Sequence, residues 1–176
     1  PAANLLGAEG SGFVYAMQSL DNGRLGISAQ AIGIARSALE LATGYAAERR
    51  QFGKPIKEFQ AVQFKLADMA TRVTAARALL YSAAEAKDRG EPINQFSSMS
   101  KLLASETAMW VTTQAIQILG GYGYVGEYVV ERLWRDAKLM EIGGGTNEAH
   151  QKNITRDLMK NGLPPMRARD GSVLRY

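Results

Sequence analysis

The sequence contains no cysteine and a single histidine, His150, among its 176 residues. Without cysteine the chain can form neither disulfides nor a thiolate nucleophile, and this composition fits a reducing compartment. One histidine without cysteine partners gives little support to a metal site or to a Ser–His catalytic pair. We therefore expect no resident metal, and we interpret His150 as a partly exposed residue of a helix.

Long apolar runs and clusters of basic residues are also missing. No apolar stretch approaches the roughly 18–20 residues that a membrane span requires. Lys and Arg number 21 against 17 Asp and Glu, a net charge of +4, and they are not interleaved with aromatics. Nucleic acid is therefore not an expected ligand. The mild positive charge suits a phosphate-bearing ligand, although surface solubility explains it equally well. Residues 1–7 carry no signal-peptide pattern.

Apolar residues make up 46% of the chain and recur in steps of three and four along most of it, which predicts amphipathic helices. The first such face starts at Ile27, and Asp21 is interpreted as the N-cap residue before it. Two more long helices are predicted at residues 62–80 and at about 93–119. Shorter helices follow at 130–140 and 146–160, and no strand alternation of useful length is present.

Breaks rich in glycine and proline at residues 51–55, 89–92 and 120–126 separate the long helices. Long helices joined by short turns predict an all-α fold, an antiparallel four-helix bundle with short extra helices at its C-terminal end. We assign this bundle to residues 1–161. Residues 162–176, which contain Pro164 and Pro165, are interpreted as an extended tail.

Three consecutive glycines at 143–145 are the most informative feature of the chain. They lie between a predicted helix end and Thr146, a residue type favoured at helix N-caps. Glycine lets the backbone approach a ligand closely, and a helix N-terminus favours anionic groups. The run therefore predicts a ligand-binding turn. Residues 121–126 also match the letters G-x-G-x-x-G, but they follow a helix rather than a strand, so we interpret them as a helix end.

Charged residues near the ends of the first predicted helix allow two interpretations each. Arg49 and Arg50 at its C-terminal end are explained by the helix dipole, yet a guanidinium before a Gly-Lys-Pro turn also suits a pyrophosphate. Arg24, three residues after Asp21, either pairs with that carboxylate or contacts a ligand. On these residues alone, the two interpretations stay open.

Taken together, these segments resemble the C-terminal domain of the flavin-dependent acyl-CoA dehydrogenases, most closely the short-chain type. The matching pieces occur in the family's order and cover roughly residues 4–160. They are Asn-Leu-Leu-Gly-Ala-Glu-Gly-Ser-Gly-Phe at 4–13, Asp-Asn-Gly-Arg at 21–24, Glu-Arg-Arg-Gln-Phe-Gly-Lys-Pro-Ile at 48–56, Phe-Gln-Ala-Val-Gln-Phe-Lys-Leu-Ala-Asp-Met at 59–69, Gln-Ala-Ile-Gln-Ile-Leu-Gly-Gly-Tyr-Gly-Tyr at 114–124, Arg-Asp-Ala-Lys at 135–138 and Ile-Gly-Gly-Gly-Thr-Asn-Glu at 142–148.

The resemblance implies a subunit of three domains, in which an N-terminal helical domain and a middle β-domain precede this bundle. Those two domains are missing from the chain, which is expected to be part of a longer protein or to need them elsewhere. The family is usually tetrameric, so a homo-oligomer built as a dimer of dimers is expected. Electron-transfer flavoprotein is an implied partner. The implied location is the bacterial cytoplasm or the mitochondrial matrix, and a bacterial source is favoured.

The resemblance also implies ligands and the residues that bind them. FAD is the implied cofactor and an acyl-CoA thioester the implied substrate. The residues implied for FAD, some of them for the FAD of a neighbouring subunit, are Arg49, Gln60, Gln117, Gly120, Gly121, Thr146, Asn147 and Glu148. Those implied for acyl-CoA are Asp21, Arg24 and Gly145.

The implied reaction removes the α-proton of the thioester while the β-hydride passes to the flavin. The family's usual base is a glutamate just before the Gly-Thr of the glycine turn, and here that position is Gly144. An isovaleryl-type branch places the base just before the arginine of the Asp-x-x-Arg segment, and here that position is Gly23. A base needs a group that accepts a proton, so both usual positions lack one.

Three solutions to the missing base stay open. A carboxylate could come from the absent domains, or Glu141 or Glu148 could reach the substrate, or the chemistry could need no α-base. The first hypothesis is therefore an oxidoreductase acting on the CH–CH group of acyl-CoA thioesters. The alternatives are a desulfinase-like lyase of the same fold and a non-catalytic bundle that serves assembly.

Overall fold

The structure, a computed structural model, describes residues 1–165, 167, 172 and 173. A two-stranded antiparallel hairpin and a short 3-10 turn, Ile56–Glu58, connect the first two long helices. The elements in chain order are α1 (Gly12–Glu48), β1 (Arg50–Gln51), β2 (Lys54–Pro55), α2 (Gln60–Asp88), α3 (Asn94–Leu119), α4 (Gly121–Tyr124), α5 (Val130–Ile142) and α6 (Asn147–Asn161).

The all-α bundle predicted from the sequence is confirmed. Helix α3 lies at its centre and packs against α1, α2, α5 and α6, while α1 also packs against α2 and α5. More than half of α3 is buried, as expected for a helix enclosed on several sides. The breaks at 51–55 and 89–92 fall between helices, whereas the break at 120–126 lies between α3 and α5 and contains the four-residue helix α4. The long helices therefore form one bundle, and the site elements α5 and α6 rest on its central helix.

Alanine lines the contact between α1 and α3. Five alanines of α1 and three of α3 are fully buried, and their small side chains let the two helix backbones approach closely. Larger side chains, such as Met69 and Val73 of α2, fill the space on the other side of this cluster. The alanines are Ala31, Ala35, Ala38, Ala42, Ala46, Ala104, Ala108 and Ala115.

Helix α1 begins at Gly12, well before the start inferred from the face at Ile27, so the predicted N-cap role of Asp21 is wrong. Asp21 lies inside the helix, and Ser11 occupies the N-cap position without a side-chain hydrogen bond to the helix. The inference considered only the face that starts at Ile27, although residues 12–26 also carry apolar side chains, among which Phe13, Val14 and Met17 are exposed. The predicted face that starts at Ile27 continues through Leu41, and the structure shows Leu41 to be exposed.

Two further expectations concern the ends of the bundle. The division into a bundle at 1–161 and a tail at 162–176 stays a prediction, because residues 166, 168–171 and 174–176 lie outside the described residues. Within that segment, Arg167 and Val173 form an isolated antiparallel bridge. Across the described residues, no helix combines the length and apolar character that crossing a membrane requires.

The alanine contact makes a stability prediction. Ala42→Leu should lower the free energy of unfolding by about 1–3 kcal/mol, because extra methylenes at a fully buried helix contact force the helices apart. The matched control is Ala47→Leu, five residues along the same helix but exposed. Urea denaturation of both variants measures the difference. Equal stability of the two variants would contradict the close packing of α1 on α3.

Candidate functional site: the glycine turn

The three glycines and Thr146 form the whole connection between α5 and α6. Gly143 is the C-cap residue of α5, and its N–H donates to Leu139 O at 2.8 Å. Gly144 and Gly145 have φ values of 68° and 97°, in the left-handed region that side chains disfavour. Thr146 caps α6 through its Oγ1, which accepts from the Ala149 N–H at 3.3 Å, as its residue type predicted. The backbone conformation of the turn therefore requires glycine at positions 144 and 145.

Helix α1 contacts this turn through Ile27. A Cβ atom at Gly144 would overlap with Ile27 Cδ1, so the isoleucine fills the place that a side chain at 144 would take. A larger residue at 144 would need both a strained φ and a new Ile27 rotamer. Gly23, the other expected base position, is exposed, and a Cβ atom there would meet no other residue.

A fully buried lysine holds the turn from the side of α3. Lys101 is 0% exposed, and its Nζ donates to three oxygens: Glu141 O at 3.2 Å, Gly145 O at 2.7 Å and Asn147 Oδ1 at 3.1 Å. An ammonium group has three donors, so these acceptors saturate it. Burial lowers the pKa of Lys101, and the charge of Glu141 opposes that shift. Lys101 thus ties the end of α5, the turn and the start of α6 to the central helix.

His150 also belongs to this turn, and its expected partial exposure is wrong. It is 1% exposed, and its Nε2 lies 3.2 Å from Gly144 O. Because a carbonyl can only accept, Nε2 carries the proton in that contact. Burial lowers the pKa of His150, and the charges of Lys101 and Arg24 lower it further. The sequence suggested an exposed histidine because α6 has few apolar residues, whereas the packing of α6 against α3 covers this one.

Asp21 and Arg24 lie on the part of α1 that approaches the glycine turn. Their side chains form an ion pair with 2.5 Å between Oδ1 and Nη1, so the pairing interpretation holds. Arg24 precedes Ile27 by three residues, and its charge acts on the buried His150. The structure therefore brings the residues expected to bind substrate, Asp21, Arg24 and Gly145, to one region.

The residues at 146–148 line a small cavity beside the turn. Its volume is about 280 Å³, and its walls are strongly charged. Glu141 pairs with Lys138, and the pKa of Glu148 is lowered, first by its own backbone N–H and then by the Thr146 hydroxyl. The lining residues are Glu106, Lys138, Glu141, Ile142, Thr146, Asn147, Glu148 and Gln151.

A second group of expected cofactor residues lies at the C-terminal end of α1, away from the glycine turn. Arg49, Gly120 and Gly121 line one cavity of about 600 Å³, and the Arg49 guanidinium lies over the Tyr122 ring, 5.7 Å from its centroid. A guanidinium beside glycine backbone is a suitable set of groups for a pyrophosphate. Tyr122 packs against Tyr128 with ring centroids 5.3 Å apart. Sequence reasoning missed this aromatic wall, for which the repeated tyrosines at 122–128 were the available signal.

Two expected residues lie apart from both groups. Gln117 lines a separate cavity of about 540 Å³ with Trp134 and Tyr124, and Gln60 is the exposed first residue of α2. Along α1, the 22 residues from Ile27 to Arg49 correspond to about 33 Å of helix. Apart from Gln117 and Gln60, the expected cofactor residues therefore form two separate groups, one beside the middle of α1 and one at its C-terminal end. Among the described residues, no cluster of His, Cys, Asp and Glu could hold a metal ion.

Comparison with known proteins agrees with this geometry. The family described as "Acyl-CoA dehydrogenase, C-terminal domain" matches residues 10–159. The chain therefore belongs to the acyl-CoA dehydrogenase family, of which it carries the C-terminal helical domain.

Three similar proteins illustrate the match. Acryloyl-CoA reductase (NADH) of Anaerotignum propionicum is 54% identical over 160 residues, which cover 91% of this chain and 41% of that protein. The structure of butyryl-CoA dehydrogenase from Megasphaera elsdenii superimposes with a TM-score of 0.89 at 50% identity, covering 90% of this chain and 42% of that one. A structure described under the electron transferring flavoprotein of Acidaminococcus fermentans gives a TM-score of 0.90 at 50% identity, covering 92% and 42%. The chain thus spans about two fifths of the length of these relatives.

The buried histidine predicts how stability depends on pH. Because the folded state lowers the pKa of His150, the unfolded chain binds a proton first as the pH falls below about 6.5. The free energy of unfolding should therefore fall between pH 6.5 and 5, by up to about 1.4 kcal/mol per pH unit. Urea denaturation at half-unit steps measures this slope.

The control is His150→Gln, which keeps a polar side chain but removes the only imidazole of the sequence. Carboxylates titrate mostly below this window and the α-amino group above it, so the variant should show little slope there. A slope equal to that of the wild type would assign the pH dependence to another group.

Proposed function

We propose that the chain is the C-terminal domain of an FAD-dependent oxidoreductase that acts on the CH–CH group of acyl-CoA thioesters. One observation carries the proposal: in a chain of this family, the residues expected to bind substrate meet at a glycine turn with positive φ. Gly144 and Gly145 form that turn, and Asp21 and Arg24 approach it from α1. Short acyl chains are favoured because a butyryl-CoA dehydrogenase superimposes closely.

The residues of the chain fit FAD. Arg49, Gly120 and Gly121 would hold its pyrophosphate, since they combine a guanidinium with accessible glycine backbone in one cavity. Thr146 and Asn147 would contact the flavin at the glycine turn, beside the middle of α1. When bound, the flavin would accept the hydride from the β-carbon of the substrate. Asp21 and Arg24 would bind the substrate, and the Gly144 N–H would polarise its thioester carbonyl.

The proton acceptor is proposed to come from outside this chain. Gly144 and Gly23 have no side chain that accepts a proton. A general base needs a pKa raised towards the working pH, whereas the pKa of Glu148 is lowered and Glu141 pairs with Lys138. Neither carboxylate is therefore suited to the role. A carboxylate of another domain is the solution that the site supports best.

The separation of the two cofactor sites supports an oligomer. About 33 Å of helix lies between Ile27 and Arg49, which favours two FAD molecules over one shared by both ends. In a homo-oligomer, each chain would contact its own flavin at the glycine turn and the pyrophosphate of a neighbour's FAD near Arg49. The Acidaminococcus fermentans structure is described under an electron transferring flavoprotein, which supports such a protein as redox partner. A location in the bacterial cytoplasm accompanies this proposal.

The first test is the colour and the redox response of the full-length protein. It should retain FAD, absorb near 450 nm, and bleach without oxygen when butyryl-CoA is added, since substrate oxidation reduces the flavin. An Arg49→Gln variant should retain less FAD because the guanidinium is lost. Thioester turnover without bleaching would favour the lyase alternative, and a colourless protein would favour a bundle that serves assembly.

The second test restores a base at each expected position. Because the proposed carboxylate of another domain already acts, Gly144→Glu together with Ile27→Val should raise dehydrogenation only slightly in the full-length protein; without that carboxylate the gain should reach about 10²- to 10⁴-fold, the usual contribution of a general base. The valine removes Cδ1, the atom that a side chain at 144 would overlap. Gly144→Glu alone should fold less stably because Ile27 occupies that space.

Gly23→Glu is the matched control for steric strain, since a Cβ atom there meets no other residue. It should fold at least as stably as the wild type, because glutamate favours a helix interior over glycine by roughly 0.5–1 kcal/mol. A gain of about 10²-fold or more from either glutamate, with FAD retained and the fold intact, would contradict a base supplied by another domain.

A further inference from the structure

Lys101 constrains the direction of two hydrogen-bond donors at the glycine turn. Its Nζ donates to the backbone oxygen of Gly145 at 2.7 Å and to Oδ1 of Asn147 at 3.1 Å. Both acceptors therefore face the bundle interior, where Lys101 is fully buried. The Gly145 oxygen belongs to a trans peptide group, whose N–H points away from its C=O, and Asn147 Oδ1 belongs to a side-chain amide, whose nitrogen takes the other branch of the same planar group. The lysine thus determines where those N–H groups point.

The first such donor is the backbone N–H of Thr146. It shares a peptide group with the Gly145 carbonyl, and in a trans peptide the N–H and C=O point in opposite directions. Because Lys101 holds the carbonyl inward, the Thr146 N–H points away from the bundle interior. Within the described part of the chain, this N–H makes no hydrogen bond, so it is free to donate to a ligand.

The second donor is the side-chain Nδ2 of Asn147. Amide oxygen and nitrogen atoms are distinguished by their partners, and Lys101 Nζ is a partner that can only donate. The oxygen must therefore face Lys101, and Nδ2 takes the other branch of the amide, away from Lys101 Nζ. Ser105 alone could not decide this orientation, because its hydroxyl, 2.9 Å from Oδ1, can either donate or accept. Across the described residues, Nδ2 makes no hydrogen bond, and Asn147 lines the charged cavity beside the turn.

We propose that Lys101 is a positioning residue that aims the Thr146 N–H and Asn147 Nδ2 at one ligand acceptor. The acceptor is an oxygen or an unprotonated nitrogen, groups that a flavin ring carries, and in this respect the inference rests on the proposed function. Lys101 acts without touching the ligand, since its three donors are used inside the protein. The cost of burying its charge is offset by these three charge-assisted bonds.

The first experiment measures the turn itself and needs no cofactor. NMR relaxation of the 19.1 kDa chain gives backbone order parameters for residues 143–147. The wild type should show order parameters of about 0.85. Lys101→Met should lower these order parameters below about 0.6, the range of flexible backbone. Lys152→Met removes an exposed lysine of α6 and should leave them unchanged. Unchanged values in Lys101→Met would overturn the positioning role.

The second experiment separates the two effects of the lysine by measuring FAD affinity in the full-length protein. Asn147→Asp keeps an oxygen for Lys101 but loses Nδ2, so the turn should stay rigid while FAD binds about five- to tenfold more weakly. Lys101→Met should weaken binding at least as much, and Ser105→Ala much less. If Asn147→Asp bound FAD with the affinity of the wild type, the role of Nδ2 would be overturned. This measurement decides the role of Nδ2 even if Lys101→Met fails to fold.

The two experiments also distinguish this inference from the proposed function. A wild-type protein that binds no FAD would refute the proposed function, while the order parameters would still decide whether Lys101 fixes the turn. FAD binding in the wild type that is unaffected by Lys101→Met would refute the inference and leave the proposed function intact.

Discussion

The buried ammonium group of Lys101 is the interaction on which the candidate site depends. A charge without water must find acceptors, and this one finds them on three different elements: the end of α5, the turn, and the start of α6. Since Lys101 belongs to the central helix, these elements take their positions from the core of the bundle. A turn of three glycines has little intrinsic preference for one conformation, so its order comes from this contact and from the imidazole of His150.

The close packing of α1 on α3 also positions residues of the candidate site, over a longer distance than the bonds of Lys101. Because alanines line that contact, α1 passes near enough to the glycine turn for Ile27 to fill the space beside Gly144. The same straight helix separates this turn from Arg49 by about 33 Å. In the proposed function, one element thereby serves two ligand sites, which suits a domain whose sites are completed by neighbouring subunits.

In the proposed function, this chain binds and orients the ligand, and a group outside the chain accepts the proton. The chain supplies groups that hold and orient a ligand, such as Arg24, the turn N–H groups and the amide of Asn147. Its position for a base, Gly144, faces an isoleucine instead of carrying a carboxylate. The proposed function therefore assigns proton transfer to a group outside this chain, and ligand binding and orientation to the bundle.

The sequence by itself determined the helices, their breaks, the bundle and the glycine turn with its Thr146 cap, because periodicity, glycine and capping are local signals. Only the tertiary structure decided that Asp21 lies inside α1, that His150 is buried, and that Lys101 bonds to residues 40 to 46 positions away. The physical reason is that burial and long-range hydrogen bonds depend on which helix faces pack together. A lysine within a stretch of small residues gives no sign of its acceptors until α5 and α6 pack against it.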